Sequence, residues 1–141
     1  MTKHNYILFI TILSFLVTLS ACKAQPTPEY VPEGAERDSI TADADIFARH
    51  IQDGMETKDF ILFSKDFDSA MLNAMTSASF EKLYKQFEGF FPSSSLELIN
   101  VQKAGDYFAV RYKVTYPEKI VIMRVVVSKT EPRQVSGLWF E

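Results

Sequence analysis

The chain carries three successive hydrophobic patterns. The first is a single apolar run from Tyr6 to Leu19, broken only by threonine and serine. The second begins at Thr41, where Ala44, Phe47, Ala48, Ile51 and Met55 recur at the three- and four-residue steps of one helix face. Thr41 is the expected N-cap, with Asp43 and Asp45 in the first turn, where the helix dipole favours negative charge. An aromatic-rich connection over residues 59–68 follows, in which Asp66 or Asp68 serves as a helix cap. A further helix is predicted after Thr76, its cap, with Met75 stapled against Phe80. Phe80, Leu83, Tyr84, Phe87 and Phe91 form its apolar stripe, and Gly89 with Pro92 ends it.

The third pattern has period two and predicts strands. With a turn at Pro117-Glu118, Phe108 faces Val127, Val110 faces Val125, Tyr112 faces Met123 and Val114 faces Val121. One face of that hairpin is then apolar apart from a tyrosine hydroxyl, and a one-residue slip would destroy the match. A two-residue turn at Ala104-Gly105 sets Ile99 and Val101 opposite Val110 and Phe108, and Glu97 opposite Tyr112. Residues 134–140 add a last strand beside the third. Helices followed by a four-stranded antiparallel meander make the α+β class, with the helices on the apolar face of the sheet.

The N-terminal run is about 14 residues, short of the roughly 20 that a membrane-spanning helix needs. Preceded by Lys3 and followed by small residues, it has the layout of a secretory signal peptide. The small residues end at Cys22, and Leu19-Ser20-Ala21-Cys22 resembles the lipobox of bacterial lipoproteins. The resemblance implies cleavage before Cys22, acylation of its thiol with palmitate-like chains and a protein held in the cell envelope, outside the cytoplasm. Lys23 rather than Asp after the cysteine implies the outer membrane in a cell that has two. The alternative is an ordinary signal peptide before a free thiol. Cys22 is the only cysteine, so its acylation leaves none for a disulfide, a thiolate metal site or a nucleophile.

The organisation expected is a signal peptide over residues 1–21, a lipidated cysteine with a flexible tether over 22–40, and one domain over 41–141. Pro26, Pro28, Pro32 and Gly34 support the tether. After the signal peptide, 14 cations meet 18 acidic groups, a net charge of −4 that argues against nucleic acid as a partner. Helices ahead of an antiparallel meander, with FDSAM at 67–71, Met75-Thr76 and FEKLYKQF at 80–87, resemble the nuclear transport factor 2-like superfamily and a group of exported bacterial domains within it. The resemblance implies a cone-shaped sheet, a pocket at its mouth that suits a small apolar ligand, and dimerisation. It implies no reaction.

Enzymes of that superfamily, ketosteroid isomerases and scytalone dehydratases among them, direct Asp, His and Tyr into the cone. The candidates here are Glu97 beside Tyr112, and His50, the one histidine after the signal peptide. An isomerase, dehydratase or hydrolase would need these to converge in a hollow cone; Trp139, Phe108 and Phe87 filling it would exclude that. His50 with Asp53 is too sparse for a metal site, the aspartates at 66 and 68 lack the glycine of a calcium loop, and no motif calls for a cofactor. On the outer face Arg111 is expected opposite Arg124, flanked by Leu98, Lys113, Ile122 and Val126. Two like charges directly across a strand pair are unfavourable unless an acidic group sits between them. The predicted role is therefore a non-catalytic envelope module that binds a ligand or protein. Leu98, Arg111, Ile122, Arg124 and Val126 mark the interface with a second copy or an envelope partner.

Overall fold

A computed structural model describes residues 27–141; the expected signal peptide, the lipobox-like stretch and Cys22 lie outside them. Four helices precede four strands: α1 (Ala35–Thr57), α2 (Phe60–Phe63), α3 (Ser69–Ala74), α4 (Ser77–Phe87), β1 (Ser95–Ala104), β2 (Tyr107–Thr115), β3 (Ile120–Ser128) and β4 (Val135–Phe140). The strands form one open antiparallel sheet in the order β1-β2-β3-β4, so the class is α+β. No described helix is long and apolar enough to cross a membrane.

The first helix starts six residues before the expected cap. Gly34, at φ 139°, precedes it without a side-chain cap, and Glu36 and Asp38 occupy its first turn. Ile40 extends the apolar stripe backwards and is wholly buried. Thr41 is therefore inside the helix, its hydroxyl donating to the Asp38 carbonyl at 3.2 Å. Asp43 and Asp45 look outward to tertiary partners, Arg133 and Tyr112. The stretch expected as tether is also partly packed. Val31 is buried, its N–H donates to Val101 O and Lys103 N–H donates to Glu29 O, both at 2.8 Å.

The short helices follow their caps. Asp59 accepts from Ile61 and Leu62, Asp68 from Met71, and Thr76 from Ser79. Gly54 lets α1 meet α2 closely, since a Cβ there would stand 2.4 Å from Phe63 N. Phe63 and Phe80 pack with centroids 4.8 Å apart at the centre of this helical layer.

The β2–β3 register is the one the pattern predicts, from Phe108↔Val127 to Val114↔Val121. The β1–β2 register is not. Gly105, at φ 61°, shapes the turn with Asp106, between Ala104 and Tyr107, and the ladder shifts between Leu98 and Asn100, leaving Ile99 unpaired. Val101 meets Val110 rather than Phe108, Leu98 pairs with Tyr112, and Glu97 with Lys113. Because the side-chain period is two, this displacement changes the face on which Glu97 and Leu98 lie.

Candidate binding groove

α1 crosses the inner face of the sheet and closes it. Val110, Met123, Val125 and Val127 are fully buried, as are Ala44 and Ala48 of the helix. Tyr112 stands in this layer, and its hydroxyl donates to Asp45 at 2.8 Å. Burial first, and then that bond, hold the phenol far above the usual tyrosine range, so it stays protonated. Two turns further along α1, Gln52 meets the Tyr116 hydroxyl at 3.3 Å, and Glu56, one turn beyond, accepts from the Ser93 amide and hydroxyl. Burial opposes ionisation of Glu56, but the bonds from Ser93 and Gln52 outweigh it and leave its carboxyl below the usual range.

The three acid–base candidates do not share a cavity. Glu97 lies exposed on the outer face, paired with Lys113 at 2.7 Å, and that bond lowers its pKa. His50 Nδ1 lies 2.6 Å from Asp66 Oδ2, at the junction of α1 with the connection before α3. Tyr112 is tied to Asp45. Each has a different partner, so the expected Glu97–Tyr112 neighbourhood does not form; the bulge at Ile99 is the reason. Phe108 and Phe87 are buried as expected of fillers, whereas Trp139 faces outward, 47% exposed, with the Arg124 guanidinium 4.6 Å from its ring.

The outer arginines do find an acidic group. Arg111 and Arg124 face one another in the ladder, and the Glu141 carboxylate lies between them, at 2.7 and 3.3 Å. That removes the repulsion the register alone would produce. Ile122 and Val126 are half-buried on this face. Leu98, the fifth interface candidate, has moved to the register position of Tyr112 on the inner side.

What stays open is one corner of the inner face, beyond the reach of α1. There α4 and the residue after α3 overhang the ends of β3 and β4, leaving a cleft of about 610 Å³. Met75, Leu83 and Phe87 form one wall, and Ile120, Val121, Leu138 and Phe140 the other. Its size lies within the range of small-ligand sites, about 300–1,000 Å³. Its ionisable lining groups are Lys119 and Glu141. Glu141 is engaged by the arginines, while the Lys119 ammonium sits over the rings of Phe90 and Phe87, at 3.7 and 4.9 Å. Neither is a free base, so the cleft can take up apolar groups and place one cation at the rim. The sequence pattern put Met75, Leu83, Phe87 and Val121 on apolar faces but singled out neither Ile120 nor Leu138 nor Phe140; the last strand's exposed side, with only one neighbouring strand, is the signal that could have located the cleft.

Comparison with protein-family models, with curated proteins and with solved structures finds no match for this chain. Its role therefore has to be inferred from the groove's own chemistry.

Proposed function

We propose that this chain is a non-catalytic binding module of the cell envelope, held to the membrane by lipid on Cys22, with the groove between α4 and β4 as its binding site. The observation that carries the reading is an open, mostly apolar cleft of about 610 Å³ in which, among the described residues, Lys119 is the one rim cation and no free base is present. A nuclear transport factor 2-like domain with a binding pocket accords with this arrangement, as does a small apolar ligand. The enzyme reading has less support, because Glu97, Tyr112 and His50 each face a different partner. Export, the lipid anchor and outer-membrane sorting rest on the sequence around Cys22.

Photolabelling of the full-length protein with a diazirine-bearing aliphatic probe tests the site. Label mapped to peptides carrying Leu83, Ile120 and Phe140, and lost in Leu83→Glu, is the expected result. Label spread over other surfaces, or unchanged by the substitution, overturns the groove as the site. Metabolic labelling with palmitate tests the anchor: Cys22→Ser is expected to abolish it, and persistent label in that variant would refute the lipobox.

A further inference from the structure

The groove has a second property beyond its apolar walls: one of them is an unpaired strand edge. Ile122 and Glu141 exchange both backbone hydrogen bonds, at 2.8 and 2.9 Å. In an antiparallel ladder such pairs alternate with pairs that make none. Arg124↔Trp139 is therefore the next bonded pair, and Met123↔Phe140 and Val125↔Leu138 are the intervening ones. The N–H and C=O groups of Leu138 and Phe140 consequently point away from β3, toward the groove. Among the described residues neither has a backbone partner on that side.

The upper half of the same edge shows what fits there. Asp66 O accepts from Val135 N at 2.8 Å, Val135 O accepts from Asp68 N at 2.9 Å, and Phe67 pairs with Val135 in parallel. The chain then turns into α3, whose start keeps contact with β4, and the short added strand ends there; Met75, just after α3, already lines the groove. Continuing its line past Leu138 and Phe140 carries an extended segment under α4. Its inward side chains would meet Leu83 and Phe87, and its end would pass Lys119, whose ammonium has no carboxylate partner among the described residues.

Resting on the reading that this groove is the binding site, we propose that its occupant is an extended peptide of a partner protein. It adds to β4 as a fifth strand, with alternate apolar side chains turned inward and an acidic group directed at Lys119. Main-chain hydrogen bonds supply affinity and the pockets for alternate side chains supply selectivity. An aliphatic ligand would fill the walls but leave the four edge groups unsatisfied; a strand satisfies both.

The test uses the full-length protein in phosphatidylcholine nanodiscs and a displayed library of random decapeptides. Selected peptides are expected to alternate apolar residues with an acidic residue at one end. They should slow hydrogen exchange at the Leu138 and Phe140 amides, and lose about tenfold or more in affinity when their pairing amides are N-methylated. Lys119→Glu should weaken them about threefold, the size of a rim ion pair. If the aliphatic photoprobe labels the groove but no peptide is selected, or N-methylated peptides bind equally well, strand addition is overturned and the groove reading stands. If the probe also fails to label the groove, both fall. Protection of the two amides in the protein without peptide, together with a Trp139→Cys cross-link between two copies, would overturn the peptide in favour of a second copy of this chain.

Discussion

The two edges of the sheet are managed differently. Along β1 the exposed edge is covered at its upper end by Glu29 and Val31, and its lower end carries an irregularity at Ile99 and the charged side chain of Glu97. Bulges and charges are the usual means by which proteins blunt an edge against pairing. Along β4 the upper end is covered by Asp66 and Asp68, but the lower end reads Leu138, Trp139, Phe140, with neither a charge nor a proline. One edge is protected throughout and the other only as far as the groove. An edge strand left apolar and unblocked beside a cleft offers a free row of backbone donors and acceptors, the feature on which the proposed strand addition rests.

The contrast can be broken first at the covered parts, which should be structural. Phe67→Ala removes a buried aromatic from the cover of β4 and should cost about 4 kcal/mol in a denaturant titration. Val31→Ala, on the cover of β1, should cost about 2 kcal/mol for two buried methyl groups and the space they leave. Losses below half of these values would mean that the covers are not integral to the fold.

Between the edges, Tyr112→Phe should cost about 1 kcal/mol, the loss of the hydrogen bond to Asp45. It should also change the response to alkali. The folded chain holds the Tyr112 proton far above the ordinary value of 10.0, whereas the unfolded chain releases it there. The contribution is therefore complete below pH 10 and is lost as pH rises beyond it. A stability profile measured above that pH should fall less steeply in Tyr112→Phe than in the parent.

The smallest effect is expected on the protected lower part of β1. Glu97→Ala breaks an exposed, solvent-screened pair with Lys113 and should leave the denaturation midpoint unchanged within error. It should leave labelling of the groove unchanged, whereas Leu83→Glu, at the β4 end, should abolish it. Equal effects at the two ends would remove the distinction between them.

Much of the fold was legible because its periodicities are long and one-sided. The β2–β3 register could be read from Val110, Tyr112, Val114 and their partners, since no other register buries that face. The caps at Asp68 and Thr76 were legible for a local reason, a side chain bonding an amide three residues ahead. The β1–β2 register was not, because one extra residue at Ile99 leaves almost no trace in the alternation. Glu97, Leu98 and the acid–base pair expected of Glu97 with Tyr112 all depended on that one residue. The start of α1 was hidden by Pro32 and Gly34, which read as spacer although Val31 is held on β1.

The sequence by itself determined the α+β order, the central hairpin, the helical stripes and the chemical poverty of the domain, with one histidine and no cysteine after Cys22. These are matters of spacing and composition, which act locally. Only the tertiary structure decided that Glu141 lies between Arg111 and Arg124, that Asp45 holds Tyr112, and that β4 ends beside an open groove. Each of these joins groups far apart in the chain. Their meeting depends on where α1 stops covering the sheet and where the segment at Phe67 leaves its edge, and no local pattern encodes either.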